Sequence, residues 1–326
     1  MPFSHHSHSG QFCNHAKNTL EEMIKRAISQ KMQMFALTEH MPRRTVDFYP
    51  EERDLYDEEG LFTLFDSYYT EAMRLKDLYA PQIEILIGFE SEWIRPESHN
   101  IISDLQNKYP FDLFVGSIHH VKTVPIDFDR QMYEEARERC GGTDERIFEA
   151  FFDEQYEMLQ ALEPPVVGHL DLIRLKSDQP NLSMRTWDGV WKRVLRNLEF
   201  IQQYGGLVEL NSAALRKGLS EPYPQVDICK VCFLATSWRK YAVTDELVPQ
   251  TFVQMGGHFT LSDDSHEIAH VGACYQGVLN ALETSGINEI RFLTRSGVEG
   301  IKGRTVTTST VAASSLREHD FFKVPT

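Results

Sequence analysis

Residues 1–15 read MPFSHHSHSGQFCNH, and their histidines have a spacing that can do chemistry. His6 and His8 form an H-x-H pair, and residues two apart in an extended segment point the same way. Both imidazoles can therefore reach one metal ion, and His15 follows after a short polar turn. Taken alone, the pair also fits two histidines side by side on a solvated strand. Its weight comes from the rest of the chain, where Glu39-His40, Glu90, His119, His169, Asn211 and Asp264-x-His266 each follow a short apolar run.

Those runs, at 34–38, 83–89, 111–118, 165–168, 206–210 and 258–261, have the length and composition of buried strands. Between them the apolar period predicts helices over 20–28 (capped by Asn18 or Thr19), 61–79, 96–109, 144–162, 186–204, 226–238, 245–255 and 273–284. A last strand is expected over 290–293. Strands alternating with helices imply parallel βα units, an α/β class. Seven or eight such units close into a barrel that carries its chemistry at the C-terminal ends of the strands. The polar residues above keep that phase, which a random scatter of 13 histidines would not. Residues 42–60 read as a loop over the active face and 122–143 as a polar excursion. From Thr305 the chain is small, polar and aperiodic, so the expected layout is one barrel domain over 1–304 and a loosely held tail over 305–326.

Collected, the candidate ligands are His6, His8, His15, His40, Glu90, His119, His169, Asp264 and His266. Seven imidazoles and two carboxylates suit Zn, Mn or Fe, whereas Ca and Mg prefer oxygen throughout. Nine ligands exceed the needs of one ion, so the set points to two or three ions sharing bridging carboxylates. His5, His99, His258 and His270 lack such a pattern and read as packing or surface residues.

The bulk composition narrows the partners. The 326 residues are 41% hydrophobic and 25% charged, as in an ordinary globular chain, but the net charge is −15. An acidic surface repels phosphate backbones and excludes a broad nucleic-acid footprint, yet it tolerates a small anion drawn by a local metal cluster. No apolar run reaches membrane length and the histidine-rich start is no signal peptide, so the chain is expected to be soluble and cytoplasmic. Five cysteines (Cys13, Cys140, Cys229, Cys232, Cys274) make an odd set that argues against a secreted disulfide framework. Cys229 and Cys232 have C-x-x-C spacing without a second pair, and they fall in the helix expected over 226–238 as small buried residues.

The ordered series His6-x-His8, His15, Glu39-His40, Gly88-x-Glu90, Gly116-Ser-x-His119, Gly168-His169-x-Asp171 and Asp264-x-His266 resembles the polymerase and histidinol phosphatase (PHP) superfamily. Cys13-x-His15, Asn211-Ser-Ala-Ala-Leu-Arg-Lys217, Glu221-Pro-Tyr-Pro224 and Val271-Gly272 make the chain similar to the monofunctional histidinol-phosphate phosphatases. The resemblance covers residues 3–295 and implies a distorted (β/α)7 TIM-like barrel. It implies three metal groupings: His6, His8, Glu90 and Asp264; Glu90 with His119 and His169; and His15, His40 and His266. The implied reaction converts L-histidinol phosphate and water to L-histidinol and phosphate, using a metal-bridging hydroxide. Three divalent ions less two carboxylates would leave roughly +4 to attract the dianion. Asp264, His266 and Arg216 are the catalytic candidates. Arg216 and Arg174 would clamp the phosphate, with Arg43 and Arg44 as weaker candidates. Asp127 or Asp129 would meet the cationic end of the substrate. An alternative within the superfamily, a phosphoesterase for nucleotides or DNA ends, would want a basic channel with aromatic platforms, and this chain has no clustered Lys/Arg run.

Nine ligands at phased strand ends predict two to three bound transition-metal ions per chain. Elemental analysis of gently purified protein should find them, and full activity without any such metal in excess chelator would refute the cluster.

Overall fold

The computed structural model describes residues 2–230, 252, 256–295 and 306–323. Strand β1 (Phe3–Ser4) leads straight into His5, His6 and His8. Helix α1 (Leu20–Ser29) starts at a capping box, with Thr19 and Glu22 each satisfying the other's backbone amide. Its buried face is Leu20, Met23, Ile24 and Ala27, at the spacing of one helix face. Strand β2 (Met34–Leu37) is wholly buried. Helix α2 (Glu58–Tyr79) begins three residues before its apolar stripe, because Asp57 caps the amide of Gly60.

The strand expected over 83–89 divides into β3 (Glu84–Ile87) and β4 (Glu90–Glu92). A Cβ on Gly88, at the break, would lie 2.5 Å from the Leu113 carbonyl oxygen. Only glycine permits that approach, and there the chain passes from one sheet to the next. Glu90 therefore lies inside a strand and not beyond one.

Helix α3 (Ser98–Lys108) leads to β5 (Val115–Ser117), shorter than its apolar run. The excursion after it is ordered as a hairpin, β6 (His120–Val121) with β7 (Val124–Pro125), and helix α4 (Arg130–Arg139). Then follow α5 (Asp144–Leu162), β8 (Val166–Val167), α6 (Asp188–Tyr204), β9 (Leu207–Asn211) and the short α7 (Ala213–Arg216) and α8 (Val226–Cys229). The rest of the helix expected over 226–238, Cys232 included, lies outside the described residues, as does all but Phe252 of that expected over 245–255. Strand β10 (His258–Ser262) and helix α9 (Tyr275–Ser285) close the series.

These strands form two parallel sheets, β1-β2-β3 and β10-β9-β8-β5-β4. The sheets meet through two isolated parallel bridges, Ser7 with Ser265 and His40 with Glu90. Both joints lie beside residues of the candidate ligand set. Among the described residues no helix is long and apolar enough to cross a membrane.

The end of the chain departs from the expected loose tail. Strand β11 (Glu289–Arg295) pairs antiparallel with β12 (Val306–Ala312), and helix α10 (Ala313–Glu318) follows. Val306, Thr307, Thr308, Thr310 and Val311 are β-branched, which favours a strand even where most of its side chains face solvent. Leu316 is fully buried and Arg317 donates to the Leu279 carbonyl, so this segment is held to α9.

His5 ties these parts together as a buried packing histidine. Its ring lies 2.9 Å from Thr260 Oγ1, and its Nε2 accepts from the Leu293 amide at 2.9 Å. An accepting Nε2 requires the neutral ring, and burial pushes the His5 pKa down to about 4. The unfolded chain binds this proton below its ordinary pKa of 6.5, whereas the native chain refuses it until about 4. Stability contributed by His5 is thus present above 6.5 and lost as pH falls towards 4, about 3 kcal/mol in all. Denaturant titrations from pH 7 to 4 should show a shallower fall for His5→Gln than for the parent. Equal slopes would mean that His5 does not govern this window.

Candidate metal centre

Glu90 is the junction of the site. One carboxylate oxygen, Oε1, lies 3.2 Å from His119 Nε2 and 3.0 Å from His169 Nε2. The other, Oε2, lies 3.3 Å from His6 Nε2, 3.4 Å from His8 Nε2 and 2.9 Å from His40 Nδ1. Asp264 Oδ1 faces the same pair, at 3.7 Å from His6 and 3.5 Å from His8. Burial alone would raise the Glu90 pKa, but His6, His119 and His40 outweigh it and hold the carboxyl well below its usual range. For His6 burial opposes the charged ring, while Glu90, Glu209 and Asp264 together push its pKa well above ordinary.

Three further carboxylates, none of them among the nine candidate ligands, hold the histidines from behind. Glu209 accepts from His6 Nδ1 at 3.2 Å and from the His169 amide at 2.6 Å, and Asn211 Nδ2 donates to it at 2.7 Å. Glu92 lies 3.0 Å from His119 Nδ1 and 3.1 Å from His120 Nδ1. Glu39 accepts from the amide and hydroxyl of Ser9 and stands 3.7 Å from His8 Nδ1. Such partners fix ring orientation and tautomer in metal-ligating histidines. Two had a signal in the sequence: Glu92 shares the face of Glu90 two residues on, and Glu209 is a lone charge within an apolar strand.

The donor set fits transition-metal ions. Nε2 of His6 and of His8 is fully buried and makes no hydrogen bond, which is costly for a protein group unless a ligand takes the lone pair. Ligand atoms lie within 4.8 Å of one another in the groups His6-His8-Glu90, Glu90-His119-His169 and His8-Asp264-His266, and in Cys13-His15-His40-His266. All nine candidate ligands are thus brought together, and Cys13 joins them.

Asp264 adopts φ +49°, a strained value for a non-glycine residue. Arg216 steadies that turn, donating to the Asp263 carbonyl at 2.6 Å and the Asp264 carbonyl at 2.9 Å. Gly168 precedes His169 for a similar steric reason as Gly88, since a Cβ there would lie 2.4 Å from Ser117 Oγ. These contacts place the ligand-bearing strand ends against each other.

A cavity of about 480 Å³ opens over the cluster, a size suited to a small ligand. Arg216, Lys217, Asp127, Tyr49, Phe128 and His270 line it around the ligand residues. Asp127 has one carboxylate oxygen buried without a hydrogen-bond partner. Asp129 is committed elsewhere, as the N-cap of α4. Arg174 departs from the expected phosphate clamp. It is 1% exposed, pairs with Asp171 at 3.1 Å, donates to the Glu221 and Pro222 carbonyls and covers the Tyr223 ring. Its charge is consumed in holding the 221–224 segment, and it does not line the cavity. Arg43 is likewise buried between Glu52 and Glu92, and Arg44 pairs with Glu58 at the surface.

Comparison with known proteins agrees with this site. The PHP domain family model matches residues 4–213. A protein described as a probable histidinol-phosphatase from Schizosaccharomyces pombe is 41% identical over 292 residues, 89% of each chain. A histidinol-phosphatase from Saccharomyces cerevisiae is 33% identical over 84% of this chain and 86% of its own. A solved histidinol phosphate phosphatase from Lactococcus lactis, complexed with zinc, L-histidinol and phosphate, shares the fold with a TM-score of 0.63. It is 17% identical and aligns with 90% of this chain and 97% of its own. The chain belongs to the PHP domain family, alongside these histidinol-phosphatases.

Proposed function

We propose that this chain is a phosphate-monoester hydrolase that converts L-histidinol phosphate and water to L-histidinol and phosphate, using two to three Zn, Mn or Fe ions. The observation that carries the reading is Glu90, whose two oxygens each face separate histidine groups in a buried site beneath a ligand-sized cavity. The two parallel sheets, joined at Ser7–Ser265 and His40–Glu90, are read as two arcs of one distorted seven-stranded barrel.

His6, His8, Glu90 and Asp264 would hold one ion, Glu90, His119 and His169 a second, and His15, His40 and His266 a third. When bound, the ions would lower the pKa of a shared water, hold phosphate oxygens and stabilise the in-line displacement. Asp264 presents Oδ1 to His6 and His8 and Oδ2 towards Asn211, on the cavity wall. It is placed to pass the proton of the attacking water to the leaving alkoxide, and His266, 3.5 Å from it, orients it. Arg216 and Lys217 offer cationic donors from one wall. Asp127 offers its unpaired oxygen to the substrate's amino group or imidazole.

Glu209 should act through His6. Glu209→Gln is expected to weaken metal binding about 10–100-fold, read by chelator competition, with the native circular-dichroism spectrum retained. Parent-like metal affinity would remove Glu209 from the site.

Substrate choice follows from the two charged ends. Each lost charged hydrogen bond costs on the order of 1.5–3 kcal/mol, and 1.4 kcal/mol is a factor of ten. Catalytic efficiency on L-histidinol phosphate should therefore exceed that on p-nitrophenyl phosphate or a mononucleotide by at least ~100-fold. Preference for oligonucleotides would favour the DNA-end reading, and equal rates on all would leave only a general phosphoesterase. Asp127→Asn should narrow the gap by raising KM for L-histidinol phosphate alone.

A further inference from the structure

The group Cys13-His15-His40-His266 contains one donor more than the three histidines that the proposed function assigns to a third ion. Cys13 is 7% exposed, and its Sγ lies 3.3 Å from His15 Nε2. His15 Nε2 in turn lies 3.3 Å from His40 Nε2. A tetrahedral zinc with bonds of about 2.0–2.1 Å to nitrogen and about 2.3 Å to sulfur spaces its donors roughly 3.3–3.6 Å apart. The His15–His40 separation is an edge of such a tetrahedron, and Cys13 Sγ lies beside the same ring, 3.3 Å from Nε2 and 3.5 Å from Nδ1.

The far nitrogens of the three rings give an independent sign. His15 Nδ1 is 3.0 Å from Glu51 Oε1, His40 Nδ1 is 2.9 Å from Glu90 Oε2, and His266 Nδ1 is 2.9 Å from the Asp264 carbonyl. Each ring thus has an oxygen acceptor at Nδ1, which leaves Nε2 as the lone-pair nitrogen, the arrangement that metal-binding histidines adopt. The turn that carries Cys13 is fastened to the same place. The Cys13 amide donates to the Ser9 carbonyl and Ala16 donates back to Cys13. Lys17 donates to the His266 carbonyl at 2.6 Å, tying the turn to the Asp264–His266 segment.

We infer that Cys13 binds as a thiolate to the ion held by His15, His40 and His266, making a closed site of three nitrogens and one sulfur. The thiol proton leaves to solvent on binding, and no electron is exchanged. A soft thiolate selects zinc over manganese, and four protein ligands leave no open position for a phosphate oxygen. The third ion then braces the first turn of the chain against the Asp264–His266 segment, while the two groups sharing Glu90 face the substrate.

The inference rests on the reading of these residues as a metal cluster, so the experiment separates the two. X-ray absorption on the zinc-loaded wild-type protein should show a sulfur shell at about 2.3 Å beside the nitrogen and oxygen shell. The cobalt-loaded protein should show a near-ultraviolet thiolate-to-cobalt charge-transfer band, lost in Cys13→Ser and kept in Cys140→Ser and Cys229→Ser. Cys13→Ser should also release one ion per chain to a weak chelator that leaves the parent fully loaded. Three bound ions with no sulfur shell, or a band that survives Cys13→Ser, would overturn the thiolate ligand and leave the cluster standing. A chain that binds no cobalt or zinc would overturn both. The sulfur shell is read on the wild type, so a Cys13→Ser chain that fails to fold does not remove the test.

Discussion

The structure depends on a buried carboxylate that cannot stand alone. Glu90 is 1% exposed, and an isolated ionised carboxylate at such a position carries a desolvation cost of several kcal/mol. It is tolerated because five histidine nitrogens from four different segments of the chain lie within 3.4 Å of its two oxygens. The compensation holds only if β1, β2, β4, β5 and β8 bring their ends to one point. Sheet topology and site electrostatics are therefore one constraint, and the two sheets join at His40–Glu90 for the same reason.

That coupling explains what the sequence made legible. Parallel strands that must deliver ligands to one end produce a polar residue just after each apolar run, so His40, Glu90, His119, His169, Asp264 and His266 stood out by phase, and His6 and His8 by their H-x-H spacing. The supporting carboxylates were harder to read: Glu39 kept the phase without a role, and Glu92 and Glu209 resemble ordinary acids until their partners, 27 to 203 residues away, are in place. Arg174 failed for the opposite reason. Its position five residues past His169 suggested the cavity, yet Asp171 and two carbonyls 47 and 48 residues downstream hold it in the protein interior, away from the cavity. The last strand was hidden by composition: serine and threonine read as a solvated tail, whereas the β-branched threonines and valines pair antiparallel with β11.

The outer carboxylates also change the charge argument. Three divalent ions against the two ligand carboxylates alone would leave roughly +4, but with Glu39, Glu92 and Glu209 counted the excess falls to roughly +1. A Cys13 thiolate would bring it to about zero. With three ions bound, metal charge would then serve to hold the protein together more than to draw the substrate in. The long-range pull on a phosphate dianion, in a chain of net charge −15, must come from side chains outside this balance. Arg216 and Lys217 fit that need, since both line the cavity and neither is paired with a carboxylate of the cluster.

The same balance assigns different work to the two ends of the cavity. Arg216 spends donors on the Asp263 and Asp264 carbonyls, so the group that attracts the anion also fixes the strained turn bearing Asp264. In the proposed function, binding and proton transfer would thus be mechanically linked on that wall. Asp127, opposite in charge, has one buried oxygen without a hydrogen-bond partner, which a cationic group in the cavity would satisfy. A ligand with phosphate at one end and an amino or imidazole group at the other satisfies both walls at once. A simple ester satisfies one and leaves Asp127 desolvated without compensation. Under the proposed function, selectivity for a zwitterionic substrate would arise from an uncompensated carboxylate oxygen on the protein's side.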